Sequence, residues 1–180
     1  MADVEHDLGP AQEFEAEAVG LPGQRTFRLR IVTAEGAASL WLEKEQVRAL
    51  ATAVEQILAQ HRRPDSDRAR PAPPPLRDFP ARPTLDFHIG RLALGYDAGA
   101  DLLALYATDA KAANEERPTL RATFTRHQAR LFTVQVEATV AAGRPTCPLC
   151  KEPLDDDEHF CPPANGHSTD AVAWLGPLDL

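Results

Sequence analysis

Seven of the chain's 16 prolines fall between Pro64 and Pro83. Proline has no backbone N–H to donate and pushes the preceding residue out of the helical region, so a run this dense fits neither a helix nor a central strand. The stretch 64–83 therefore reads as an extended linker or long loop, with recognition by a proline-reading module as the alternative use. It cuts the 180 residues into segments that must each supply their own elements. On both sides of the cut the hydrophobic pattern has the same order.

In the first segment, 1–63, Glu13-Phe14-Glu15-Ala16-Glu17-Ala18 alternates strictly, as does Phe27-Arg28-Leu29-Arg30-Ile31. Alternation of period two marks half-buried strands. Gly20-Leu21-Pro22-Gly23 turns between them, so the outward Glu of one strand is expected to face the outward Arg of the next. Ala37–Leu42 is a third strand. From Lys44 to about His61 the apolar residues Val47, Leu50, Val54, Ile57 and Leu58 fall three or four apart, a helix with one core stripe.

The second segment, 84–143, repeats that order. Thr84–Tyr96 is a strand whose apolar phase shifts at Gly90, which predicts a β-bulge there. Asp97–Asp101 turns the chain into the strand Leu102–Ala107, and Leu120–Phe124 is another strand. Thr125 precedes Gln128 by three residues, a capping-box pattern that opens a helix over 126–142. Gln46, Arg48, Val54 and Glu55 match Gln128, Arg130, Val136 and Glu137 at a constant offset of 82. The expected class is α+β: two β-β-β-α units, related by internal duplication, with antiparallel sheets covered by helices.

Beyond residue 143 the composition changes. All three cysteines lie in Cys147-Pro148-Leu149-Cys150 and His159-Phe160-Cys161, with His167 following an Asn-Gly turn. Two thiolates two residues apart bite a metal from one tight turn, and a second pair from a facing turn completes the tetrahedron that Zn2+ favours. The segment has little apolar mass, whereas a structural zinc contributes about 10–16 kcal/mol of apparent folding free energy. Residues 144–168 thus read as a zinc-ribbon-like knuckle with Cys147, Cys150 and Cys161 as ligands. Spacing favours His167 as the fourth, because it closes one turn with Cys161; His159 is the alternative. Four ligands leave no open coordination place, so the ion is expected to be structural rather than catalytic. A disulfide fits poorly with an intracellular address, and redox Cys-x-x-Cys pairs usually sit where a strand feeds a helix, not after a Gly-Arg-Pro break.

Charge narrows the partners. The formal net charge is −8, and residues 144–180 alone hold 7 acidic against 2 basic side chains. Asp155-Asp156-Asp157-Glu158 sits inside the knuckle's own loop and would repel phosphate, so nucleic-acid binding is not expected. No apolar run reaches the ~18–20 residues of a membrane span. The acidic start, Met1 to Asp7, lacks the basic and apolar regions of a secretory signal, so the expected location is the cytoplasm. Residues 169–180 form a tail whose Ala171–Leu175 stretch is apolar and carries Trp174, suited to folding back or to docking.

No Gly-rich phosphate loop, G-x-S-x-G elbow or H-E-x-x-H helix is present, and no catalytic residue is assigned. Asp86 and His88 share one strand parity and read as partly exposed strand polars; His127, in the first turn of a helix, reads as solvated. Two functions remain in view. One is a non-enzymatic adaptor with a protein partner. The other is an enzyme or binding protein that takes a phosphorylated small molecule between the two repeats through Arg91, Arg121 or Arg126.

Four stretches carry a family resemblance: Gly90-Arg91-Leu92-Ala93-Leu94-Gly95-Tyr96-Asp97, Thr125-Arg126-x-Gln128-Ala129-Arg130, Ala142-Gly143-Arg144-Pro145-x-Cys147-Pro148-Leu149-Cys150, and His159-x-Cys161-Pro162-x-x-Asn165-Gly166-His167. Together they resemble the actinobacterial family labelled domain of unknown function 3090, over nearly the whole chain. Lys151 stands where that family typically has Gly. The resemblance implies no known activity. It implies association with a histidine-phosphatase-like protein or a kinase-like protein, because members are often encoded beside them.

Overall fold

The computed structural model describes residues 3–21, 24–62, 77–114, 116–141 and 149. The chain forms two compact units, residues 1–141 and 142–180, and the elements below all belong to the first. Cys147, Cys150, His159, Cys161 and His167 lie outside the described residues, as do 64–76 of the proline-rich stretch and the tail 169–180. Among the described residues no helix is long and apolar enough to cross a membrane.

Six strands and two helices are described: β1 (His6–Val19), β2 (Thr26–Thr33), β3 (Ala37–Leu42), α1 (Lys44–Gln60), β4 (Leu85–Asp97), β5 (Leu102–Asp109), β6 (Leu120–Thr125) and α2 (Arg126–Ala141). The expected β-β-β-α order therefore occurs twice. β1, β2 and β3 form one antiparallel meander, and β4, β5 and β6 form the other. The expected bulge falls between Ile89 and Arg91. There a Cβ on Gly90 would come within 2.9 Å of Ala110 Cα, so only glycine lets the backbones approach.

The expectation of separate sheets needs correction, because all six strands close into a single barrel. β3 runs parallel to the start of β4, pairing Ala38 with Leu85 through Trp41 with His88. The start of β1 runs parallel to β6, pairing His6 with Leu120 and Asp7 with Arg121. An isolated three-stranded meander leaves two edges of unmet N–H and C=O groups; here each meander satisfies the other's. The extra length of β1 that makes this closure contains Gly9-Pro10, which reads as a strand breaker. A bulge absorbs it: Gly9 adopts φ +66°, its N–H donates to Asp7 Oδ1 at 3.0 Å, and the pairing with β6 shifts register between Asp7 and Pro10.

α2 opens on the expected capping glutamine, Gln128, and α1 opens on its offset-82 equivalent, Gln46. Gln46 Oε1 accepts from Glu43 N at 2.8 Å, and Gln128 Oε1 accepts from Thr125 N at 2.9 Å. α2 also meets β1 through side-chain amides. Ala16 N donates to Gln135 Oε1 at 2.8 Å, and Gln128 Nε2 donates to Ala11 O at 2.8 Å. Apolar residues of both meanders and both helices form one core, with Val54 and Val136 buried at equivalent helix positions. At its centre Phe14 stacks on Phe124 with ring centroids 4.3 Å apart and tilts against Phe132 at 4.7 Å.

Candidate functional site

The face of β1–β4 opposite the core is built from the alternate residues of four neighbouring strands. Register sets two rows across it. Glu15 pairs with Arg30, Arg30 with Ser39, and Ser39 with Asp86; one step along, Glu17 pairs with Arg28, Arg28 with Trp41, and Trp41 with His88. The Glu-facing-Arg arrangement expected from the alternation is therefore present. Glu17 accepts from both arginines: from Arg28 Nη2 at Oε1, and from Arg30 Nη1 at Oε2 over 3.0 Å. Arg30 Nη2 also lies 3.9 Å from Glu15 Oε2, with both side chains almost fully buried.

Asp86 and His88 are exposed on this face, and each meets Trp41. Trp41 Nε1 donates to Asp86 Oδ1 at 2.7 Å. The His88 ring lies over the indole with centroids 6.3 Å apart and planes 28° apart. Trp41 was not legible as a site residue, because Ala37–Leu42 reads as a continuous apolar run that hides which side chains turn away from the core.

The described end of the proline-rich stretch, from Arg77 onward, lies across the buried end of this face. Arg30 Nη2 donates to the carbonyl oxygen of Arg77, and Arg77 Nη1 donates to Glu13 Oε1 at 2.9 Å. The Phe79 ring sits 5.4 Å from the Arg28 guanidinium carbon and 4.9 Å from that of Arg30. Arg28 in turn lies 5.2 Å from the Trp41 ring, so one guanidinium contacts two aromatic rings. The signal that could have found Phe79 is slight: a lone aromatic among prolines.

Four polar atoms of this layer are buried without a hydrogen-bond partner among the described residues: Glu15 Oε2, Arg28 Nε, Arg30 Nε and Ser39 Oγ. Each such group costs about 1–3 kcal/mol of desolvation. Burial pushes the Glu15 carboxyl above its ordinary value; Arg30 opposes that shift and Glu13 adds to it.

The three arginines considered for a phosphorylated ligand have different settings. Arg91 is exposed on β4. Arg121 donates from Nη1 to both oxygens of Asp7 at 2.9 Å. Arg126 is buried at the start of α2, where Nε donates to Asp101 Oδ1 at 2.7 Å and Nη2 to Tyr96 Oη at 3.1 Å and to the His61 carbonyl. That carbonyl lies at the C-terminus of α1, so Arg126 fastens the two helices together. His127 is exposed, as expected, and it lines a depression of about 410 Å³ with Asp101, Arg126 and Arg130. A second depression, of about 420 Å³ between α1 and α2, is lined by Arg48, Glu55 and Glu137 and by none of the three arginines. Among the described residues no group of three or more His, Cys, Asp or Glu side chains is placed to hold a metal ion.

Fold and site define an α+β barrel protein with an ionic and aromatic sheet face. The chain belongs to the family described as "Protein of unknown function (DUF3090)", whose model matches residues 6–161. That match includes Cys147, Cys150, His159 and Cys161, and ends before His167. Compared with curated proteins and with solved structures, the chain has no match.

Proposed function

We propose that this chain is a non-enzymatic cytoplasmic adaptor that binds a protein partner through the open face of β1–β4. In this reading its C-terminal segment is a zinc knuckle held by Cys147, Cys150, Cys161 and His167, with His159 as the alternative fourth ligand. The observation that supports the adaptor role is the cluster of Trp41, Arg28, Phe79 and His88 on a sheet face rather than in a cavity. Large aromatic and guanidinium groups that shed water readily dominate protein–protein recognition energies. The repeated β-β-β-α order, the paired capping glutamines and the offset of 82 support origin by internal duplication. Histidine-phosphatase-like and kinase-like proteins are the partners to try first.

Cross-linked co-purification from native cells tests the adaptor role. A discrete partner should be recovered with the wild type and lost with Trp41→Ala/His88→Ala; recovery of the lone chain at every salt concentration counts against it. Metal quantitation tests the knuckle. About one zinc per chain is expected, lost in Cys147→Ser/Cys150→Ser, and a metal-free chain with an ordered C-terminal segment rules it out. The second reading, a site for a phosphorylated small molecule, draws on the depression at Arg126, His127 and Arg130. It is the weaker reading, because the Arg126 guanidinium already serves Asp101, Tyr96 and the His61 carbonyl.

A further inference from the structure

We propose that the β1–β4 face recognises an extended segment with a basic side chain two residues ahead of an aromatic one, and that Arg77–Pro80 of this chain occupies that place in cis. The inference rests on the adaptor reading and names the partner's chemistry. Arg77-Asp78-Phe79-Pro80 has no regular secondary structure, and three kinds of contact hold it. Arg30 donates to the segment's backbone at the Arg77 carbonyl, Glu13 takes the Arg77 guanidinium, and Arg28 with Arg30 forms a cationic floor under the Phe79 ring. In an extended chain residues i and i+2 project to the same side, so arginine and phenylalanine can both reach the sheet while Asp78 stays exposed. Backbone anchoring combined with seats for alternate side chains is how proteins read extended peptides.

Charge complementarity sets the sign of the partner. Glu13, Glu15, Glu17 and Asp86 outnumber Arg28 and Arg30 on the face, within a chain of net charge −8, which selects a segment carrying arginine or lysine. With the cis segment in place Glu15 Oε2, Arg28 Nε, Arg30 Nε and Ser39 Oγ have no hydrogen-bond partner among the described residues, so a better-fitting segment can gain what Arg77–Pro80 forgoes. A tethered segment competes at an effective concentration of the order of millimolar. Cis occupancy therefore holds the face shut against weak ligands and yields to strong ones.

The test uses a fluorescent peptide with the sequence of residues 74–83, Pro-Pro-Leu-Arg-Asp-Phe-Pro-Ala-Arg-Pro, titrated with full-length protein by anisotropy. Arg77→Ala/Phe79→Ala, whose own segment is weakened, should bind it about tenfold or more tighter than the wild type, by relief of the intramolecular competitor. A peptide with alanine in place of that arginine and phenylalanine should not bind, and adding Glu13→Gln to the double variant should weaken binding several-fold. Equal binding of both peptides, or no gain in the double variant, overturns the proposal. If the double variant does not fold, Phe79→Leu should still give a smaller gain; unfolding of both makes the segment part of the core and equally overturns it. Partner capture through Trp41 and His88 without peptide binding sinks this inference alone. Peptide binding without capture sinks the adaptor reading alone.

Discussion

The two meanders close the same barrel, yet the faces they turn away from its core are unlike. In the first, Glu15–Arg30–Ser39–Asp86 and Glu17–Arg28–Trp41–His88 run across four strands. The topologically equivalent rows of the second are Ala93–Tyr106–Arg121–Asp7 and Gly95–Ala104–Thr123–Pro10. One ion pair, Arg121 with Asp7, and a row of small residues are enough to close that side. Barrel closure thus needs no layer of buried charge, and the first face carries groups that folding alone does not require. Buried ion pairs often gain less than their desolvation costs. Their concentration on one of two equivalent faces is the reason to look for recognition there.

The sharpest way to break this comparison is to replace the middle-strand side chain of the equivalent row on each face. Arg30 is 5% exposed and neutralises Glu15 and Glu17. Arg30→Met leaves Glu15 buried without its cation and Glu17 with Arg28 alone, so it should cost about 3–5 kcal/mol. Its counterpart in the second meander is Tyr106, and Tyr106→Phe should cost no more than about 1.5 kcal/mol, one hydrogen bond's worth. Urea denaturation of both variants measures the gap. Equal losses would mean that the two faces do the same structural work.

Much of the first face was legible because it is local. Alternation placed Glu13, Glu15 and Glu17 on one side of a strand and Arg28 and Arg30 on one side of the next, and a short turn fixed that they would meet. The bulge at Gly90 and the glutamine caps are likewise local, set by a phase shift and by a spacing of three. Barrel closure was not legible, because parallel pairing of β1 with β6 joins residues more than a hundred positions apart. Its signal is further masked by Gly9-Pro10. Phe79 and Arg77 were hidden for the opposite reason: proline density correctly indicated an irregular chain but says nothing of where such a chain lies down. The cysteine and histidine motif rests on spacing alone, since its residues lie outside those described.

The helix caps sharpen the comparison at smaller scale. Gln46 accepts one hydrogen bond, from Glu43 N. Gln128 makes the same bond and also donates to the Ala11 carbonyl of β1. Gln46→Ala should cost about 0.5–1.5 kcal/mol and Gln128→Ala at least twice that, the difference being the further hydrogen bonds of Gln128 to Thr125 Oγ1 and to the Ala11 and Gln12 carbonyls. Paired thermal melts decide it; a larger loss at Gln46 would mean that α1, not α2, is the helix that secures the barrel.

The smallest expected effect separates burial from pairing at Glu15. Its carboxyl stands above the ordinary value of 4.5 because burial penalises the charged form more than Arg30 rewards it. A group whose folded pKa is raised binds more protons folded than unfolded at pH values between the two, so stability falls as pH rises from about 4.5 through the raised value. Above that window the loss is complete and constant. Glu15→Gln abolishes the titration, so the stability of the wild type relative to this variant should decline across the window and then level off. Glu13, Glu17, Arg28, Arg30 and Arg77 stay the same in both proteins, so the difference curve reports position 15 together with its coupling to Glu13. Denaturant midpoints taken at half-unit pH steps read that curve. A relative stability that climbs with pH would mean that the Arg30 attraction outweighs desolvation, and the layer would then be a stabilising ion pair rather than a strained one.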